Sequence, residues 1–269
     1  MRPTNLLCPG PFAQLTTAAP TFDFDAARAL LDSDPIGNAV VWDRAFQQPG
    51  YEVCVHGSPP RGLIAVHRMG SPGGANFVAL HALDAPAAGA LGERVPSGFT
   101  IVHLTEEFSL PIVEARATEF RPRTAWLFDL DRKDFVDRPD DRVRPLDPEW
   151  AGRVAKLWQP DWPAEPYVRR RIEEGPTAAI YEGREPVAWA LTHLVTNRAA
   201  NIGMVHVVEG RRRQGLARAV VAAVSRELLR LGKVPTLHAY ADNRASLALF
   251  PTLGFQKVKR QVWADAVFP

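Results

Sequence analysis

The run Val207-Val208-Glu209-Gly210-Arg211-Arg212-Arg213-Gln214-Gly215-Leu216-Ala217 has the residue types, in the order, needed to grip a diphosphate. A strand-like apolar stretch enters a basic turn, and the turn enters a long amphipathic helix. Leu216, Ala219, Val220, Ala223, Val224, Leu228 and Leu231 recur there at three- and four-residue spacing, and Gly232 stops the helix. The first N–H groups of a helix lack internal partners and lie at the positive end of its dipole. Gly215 and the small Ala217 let an anion come close to that backbone, and Arg212 and Arg213 add charge. No Gly-Lys-Ser/Thr follows, so the turn is not a P-loop. A solvated basic turn would account for the arginines alone, but not for strand, turn, Gly-x-Ala and helix together. A nucleic-acid patch would need aromatic or further basic partners nearby, and none is present.

These residues need a scaffold, and the pattern supplies one. In the second half a short strand (143–146) precedes a helix at 148–157, with Asp147 as cap and Pro148 at its first position. A second helix is expected over 164–174. A hairpin of 177–181 and 186–194 follows, then a strand over 202–208, the long helix, a strand over 236–241, a helix over 243–253 and a last strand over 255–263. Pro251 inside that last helix removes a donor and predicts a bent or shortened helix. The first half reads as helices at 25–32 and 38–47, strands at 51–56, 62–67 and 75–80, a short helix at 87–94, and strands at 99–104 and 124–130. The first twenty residues read as an extended lead-in. Residues 131–141 are almost wholly charged and read as a linker, which puts a domain boundary at 138/139. The fold class is α/β with a mixed sheet.

Two motifs in order resemble a known superfamily. Arg212-x-x-Gly215-x-Ala217 matches the R/Q-x-x-G-x-G/A signature of the GCN5-related N-acetyltransferases (GNAT). The stretch from Asp242-Asn243 through Ser246, Phe250 and Leu253-Gly254-Phe255 is similar to that superfamily's second motif. The run is most like the C-terminal domain of glycine N-acyltransferase-like proteins, over about 142–264. The resemblance implies a GNAT fold with a mixed, mostly antiparallel sheet in 139–269. It also implies a tandem arrangement in which 1–138 is a degenerate GNAT-like domain without its own Arg-x-x-Gly-x-Gly.

The same resemblance implies an N-acyltransferase that moves an acetyl or other acyl group from acyl-CoA to an amine of a small molecule or peptide. A non-catalytic CoA-binding sensor or interaction module is the alternative. Implied cofactor contacts are the strand backbone at Val205, His206 and Val207, the turn Arg212, Arg213, Gln214, Gly215, Leu216 and Ala217, and Asn243, Ser246 and Phe250. For Asn243 and Ser246 helix capping is the competing reading, and for Phe250 core packing. Where many members have a glutamate base this chain has Asn201, and where they have a tyrosine acid it has Phe250, which carries no proton to give. Asn201 and His206 are the candidate catalytic positions, with His193 on a neighbouring strand. Trp162 and Trp189 are candidates to line an acceptor pocket, against core packing.

Composition narrows the remaining classes. The 269 residues are 46% hydrophobic, and Lys plus Arg (32) nearly balances Asp plus Glu (30) for a net charge of +2. That gives little support for nucleic-acid or acidic-membrane binding. Neither of the two cysteines, Cys8 and Cys54, sits in a metal-ligand spacing, so no metal site is expected and both are read as reduced thiols. No apolar run reaches the ~18 residues needed to span a bilayer. The expectations are a cytoplasmic protein, monomeric or homodimeric, with neither nucleic acid nor membrane as partner.

Overall fold

The computed structural model describes residues 6–7, 23–68, 74–160 and 162–269. Most of the expected lead-in, and part of the turn at 71–74, lie outside the described residues. The elements run β1 (Leu6–Leu7), α1 (Phe24–Asp32), α2 (Ala39–Phe46), β2 (Tyr51–His56), β3 (Gly62–His67), β4 (Asn76–Ala82), α3 (Ala85–Gly92), β5 (Gly98–Leu104), α4 (Leu110–Glu114) and β6 (Glu119–Asp129). They continue with β7 (Val143–Arg144), α5 (Ala151–Trp158), α6 (Glu165–Glu174), β8 (Thr177–Glu182), β9 (Glu185–Val195), β10 (Ala199–Val207), α7 (Leu216–Arg230), β11 (Val234–Tyr240), α8 (Arg244–Leu249) and β12 (Gln256–Phe268).

The chain packs as two compact units. One comprises Met1–Trp126 with Lys259–Pro269, the other Leu127–Val258. This differs from a cut at residue 138 in two ways. The final strand is longer than expected, and Val262 to Phe268 pair antiparallel with β5, which puts the tail in the first unit. The charged segment 131–141 is a docked strap of the second unit and not a free linker. Arg132–Asp134 form a 3-10 turn capped by Asp131. The Val136 N–H donates to Leu253 O at 3.0 Å, and Arg226 on α7 pairs with Asp137 at 2.5 Å. The charges sit outside while the backbone packs inward.

In the first unit the strand order is β1-β2-β3-β4-β5-β12. There β4 and β5 run parallel, while β1 with β2, β2 with β3, β3 with β4 and β5 with β12 pair antiparallel. In the second unit the order is β11-β10-β9-β8-β7, with β10 and β11 parallel and the rest antiparallel. Each sheet is thus mixed and mostly antiparallel. Each also repeats one theme: an antiparallel meander, then a helix (α3 or α7) that crosses to a parallel neighbour. A parallel neighbour requires such a crossover.

The core of the second unit on the α5/α6 side is built from Val154, Ala155, Val168, Ile172, Ala179, Trp189, Leu191 and Met204. Trp189 and Leu191, two apart on β9, share one face of the strand, and Ala188 and Ala190 between them are buried too, so both faces are covered. Trp189 is 1% exposed and belongs to this core. Cys54 is disulfide-bonded, which corrects the expectation of two reduced thiols; the sequence's other cysteine lies outside the described residues. Among the described residues no helix is long and apolar enough to cross a membrane.

The first unit holds a buried polar cluster with a pH consequence. The His81 ring, 5% exposed, bonds the Thr105 hydroxyl through Nδ1 at 2.8 Å, and its Nε2 meets no partner among the described residues. Burial, with Lys259 adding to it, lowers its pKa from 6.5 to about 4. The folded protein therefore holds this ring neutral while the unfolded chain takes a proton first. Stability should fall by up to roughly 3 kcal/mol between pH 6.5 and 4 and then level off for this group. Lowered Asp34 acts later, once the unfolded carboxylate protonates near 3.8. Urea unfolding across that range should show the loss, and His81→Gln should flatten most of it. An unchanged slope in His81→Gln would overturn the assignment.

Candidate active site

The start of α7 is open. Gly215 precedes the helix in the left-handed region, φ 79°, and no side chain caps the end among the described residues. Its first turn carries no acidic residue. A Cβ built on Gly215 would meet nothing within 4 Å among those residues, so there is open space beside that residue. Arg213, also left-handed at φ 63°, bends the turn two residues earlier. A non-glycine residue there costs about 1–2 kcal/mol, and turns in which left-handed residues alternate with right-handed ones aim neighbouring N–H groups to one side, where an anion binds. Arg211 is held by Glu182 at 2.5 Å. Arg212 and Arg213 remain exposed on the turn, with the Arg212 Nε turned back to Val207 O at 3.4 Å.

The strand that feeds the turn opens the sheet. β10 pairs with β11 only from Ala199↔Val234 to Ile202↔Leu237, although it runs on to Val207. On its other side it stays paired with β9 to Val207↔Ala188. Residues 203–207 therefore present one backbone edge with no strand partner among the described residues, over about 16 Å at ~3.3 Å per residue. A bulge between Gly203 and His206 lies at the opening, with Met204 at φ 52°. Bulges bend a strand and end pairing, which is what this one accompanies.

Asn201 is 5% exposed and pins the last paired turn of the ladder. Its Nδ2 donates to Thr236 Oγ1 at 3.3 Å and to His238 Nδ1 at 3.2 Å. His206 stacks on Trp189 with ring centroids 4.7 Å apart. Burial, then Arg212 and Arg153, lower its pKa, so the ring is neutral at pH 7. Val205 and Val207 lie on the same strand, on the unpaired edge. Asn243 accepts from the Ser246 N–H at 3.1 Å and caps α8, which is the capping alternative of the sequence reading. Phe250 is 4% exposed and packs edge-on to Phe128 at 5.7 Å, the core-packing alternative. As Pro251 predicts, α8 ends at Leu249 and a 3-10 turn Phe250–Leu253 follows.

Sequence reasoning named Trp162 and His193 beside the opening, but not Trp158 or Tyr167, which pack with them. Trp158, Trp162, Tyr167 and His193 lie with ring centroids 5.3–5.9 Å apart. Nor did it single out Gly203. A Cβ there would lie 3.1 Å from His193 Cβ, so the glycine leaves room for that ring against β10. Gly203 is an isolated glycine within a strand pattern, a signal of close approach.

The equivalent place in the first unit is shut. There β4 and β5 stay paired from Asn76↔Thr100 to Leu80↔Leu104, and the Thr105 N–H continues to Leu80 O at 3.1 Å. The start of α3 is taken by Asp84, whose carboxylate accepts from the Ala87 N–H at 2.8 Å and pairs with Arg61. A carboxylate already occupies the anion position, and β4 and β5 do not part as β10 and β11 do.

Residues 180–264 match the FR47-like protein family model. No curated protein matches the chain. Among solved structures, a Drosophila malonogaster protein is similar at TM-score 0.70 and 20% identity, covering 93% of this chain and 98% of that one. A GCN5-related N-acetyltransferase from Sphaerobacter thermophilus aligns at TM-score 0.60 and 17% identity, over 98% and 96%. A tandem GNAT protein from the clavulanic acid biosynthesis pathway aligns at TM-score 0.58 and 13% identity, over 99% of both chains. At such identities the likeness is one of fold. Along its whole length, the chain has the fold of the tandem GCN5-related N-acetyltransferases, and the FR47-like segment lies in its second unit up to Val258.

Proposed function

We propose that the protein is an acyl-CoA-dependent N-acyltransferase with one working site, in the second unit, Leu127–Val258, and a degenerate first unit. The observation that carries this reading is the parting of β10 from β11 beside an uncapped, open helix start. An acyl-CoA has a diphosphate for the helix and an extended amide-bearing arm for a bare strand edge. In this reading the N–H groups of Gln214, Gly215, Leu216 and Ala217, with Arg212 and Arg213, hold the diphosphate. The backbone of Val205, His206 and Val207 pairs with the arm as an added strand would. The thioester supplies an activated acyl group, and the acceptor is an amine of a small molecule or peptide. The C-terminal motifs liken the module to glycine N-acyltransferase-like proteins, and acetyl-CoA is the first donor to test.

The test is calorimetric titration with CoA and acetyl-CoA, followed by thiol release from acetyl-CoA with a panel of primary amines. Saturable binding and amine-dependent release are expected. No heat with either ligand would sink the reading. A second reading, a CoA-binding module without turnover, is favoured by one observation: the expected acid position is Phe250, apolar and buried. Binding without release for any amine would select it. Loss of the acid alone does not require that outcome, because a thiol of pKa about 8.5 leaves as thiolate without strong assistance.

A further inference from the structure

We propose that Trp158, Trp162 and Tyr167 form the acceptor subsite and select an amine borne on a planar aromatic group; this rests on the acyltransferase reading above and names the substrate class. The direction of the acyl-CoA follows from its diphosphate. With that group at the turn 212–217, the arm runs back along β10 from Val207 toward Gly203. Its thioester end then comes to where β10 leaves β11, after Ile202. The rings stand beside that end. A Cβ on Gly203 would lie 3.1 Å from His193 Cβ, so the two residues are neighbours on one sheet face. The Tyr167 hydroxyl donates to the His193 carbonyl oxygen at 2.6 Å, which ties α6 to β9 there. The His193 ring centre lies 5.3 Å from Trp158 and 5.6 Å from Tyr167.

The rings form an angled wall. Trp158 and Tyr167 are stacked at 5.8 Å with 24° between their planes. Trp162 stands across both, at 64° to Trp158 and 41° to Tyr167, 5.9 Å from each. This wall is not closed as a core is. Trp162 is 36% exposed, and Trp158 and Tyr167 are half-buried against the α5/α6 core, whereas Trp189 on the same sheet face is 1% exposed. Flat ligands pack on such rings offset-stacked or edge-to-face. The exposed ring is also held in place. The Trp162 N–H donates to Gln159 O at 3.3 Å, its carbonyl accepts from the Ala164 N–H at 2.7 Å, and Pro163 restricts its backbone. A wall fixed before binding loses little entropy when the ligand arrives.

Charge argues for the same class. Aromatic faces attract cations, and one cation already lies here: the Arg170 guanidinium is 5.8 Å from the Tyr167 ring centre. An acceptor with several ammonium groups would meet it as a like charge. An aryl amine brings one amino group to the thioester and an uncharged ring to the wall.

Thiol release at saturating acetyl-CoA tests the subsite with 2-phenylethylamine, tryptamine, a peptide with N-terminal phenylalanine, n-hexylamine and putrescine. The wild type should favour aryl amines by about tenfold or more in kcat/KM over n-hexylamine and putrescine. The best aryl probe tells whether the ring comes on a free amine or on a peptide. With that probe Trp162→Ala should raise KM roughly 10–100-fold and change kcat far less, while CoA affinity and melting temperature hold. The aryl-to-hexylamine ratio should fall toward one, whereas a ring lost only as packing would lower all amines together. Trp162→Phe should restore most of the ratio, and Trp162→Leu, apolar without a ring, should not; these two decide if the alanine variant does not fold. A wild type that uses n-hexylamine or putrescine as well as the aryl amines, or variants without a ring that keep the wild-type ratio, would overturn the proposal and leave the acyltransferase reading intact. No release from wild type with any amine would remove the acyltransferase reading, and this subsite with it.

Discussion

Gly215→Asp should leave the protein folded and remove its affinity for CoA. The substitution gives α7 what α3 already has, a carboxylate at the helix start, as Asp84 provides in the first unit. A Cβ at Gly215 meets nothing within 4 Å, so the new side chain enters open space. Aspartate tolerates the left-handed region better than most residues, and a cap-like carboxylate offsets part of the about 1–2 kcal/mol of strain. The melting temperature should stay within roughly 4 °C of wild type. Binding is another matter. One negative charge about 4 Å from a phosphate oxygen costs about 4 kcal/mol at an effective dielectric of 20. Screening at an exposed turn reduces that, leaving a loss on the order of 10²–10³-fold in Kd. Gly215→Ala separates the causes, since it adds strain without charge and should weaken CoA far less. Calorimetry on the three proteins decides. Unchanged affinity in a folded Gly215→Asp would mean that the diphosphate does not sit at this helix.

The largest effect on stability is expected at Gly254. It ends the 3-10 turn after α8 at φ 94°, and a Cβ there would lie 1.9 Å from the Asp134 carbonyl oxygen. The obstructing atom is backbone of the docked strap, so no side chain can swing aside. To admit alanine the strap must lift, giving up the Val136 N–H to Leu253 bond at 3.0 Å and the Gln256 to Asp134 bond at 3.0 Å. Strain and clash add to a destabilisation of about 3–5 kcal/mol, at the far end of what single substitutions do. Chemical denaturation, or soluble yield if the variant does not accumulate, checks it. A Gly254→Ala protein within about 1 kcal/mol of wild type would contradict the packing described. The same contact gives a reason for the Leu-Gly-Phe ending of the second motif. Glycine is needed there because another piece of backbone crosses at contact distance.

Local patterns carry the helices and turns. The three- and four-residue apolar spacing of 216–231 and the glycine after it mark α7, because a helix declares its buried face within one or two turns. Pro251 announces the shortened α8 for an equally local reason: it has no N–H. The hairpin at 182–185 follows from Gly183 and its neighbours, and Glu182 does face Glu185. The second helix, the meander strands and the basic turn before Gly215 need no partner to be recognised either.

The residues around the site divide along the same line. Asn201, His206 and the phosphate turn stand out in the sequence because a motif counts along the chain. Tyr167 and Gly203 do not, because their meaning comes from a ring on another strand. The gap between β10 and β11 is invisible in either strand alone, since pairing is a property of two segments 35 residues apart in sequence, as Asn201 and Thr236 are. The strap at 131–141 reads as a linker because its side chains are charged, whereas its backbone groups dock. The last strand reads as ending near 263 because nothing local shows that β5 waits beyond it.

The amino-acid order by itself determined the helices, the turn chemistry at Gly215 and the superfamily likeness, all of which depend on neighbours a few bonds away. Tertiary structure alone decided where the sheet opens, which helix start stays bare and which is filled by Asp84. Those outcomes turn on hydrogen-bond partners and contacts brought together from distant parts of the chain, and a partner that is not adjacent in sequence leaves no local pattern to read.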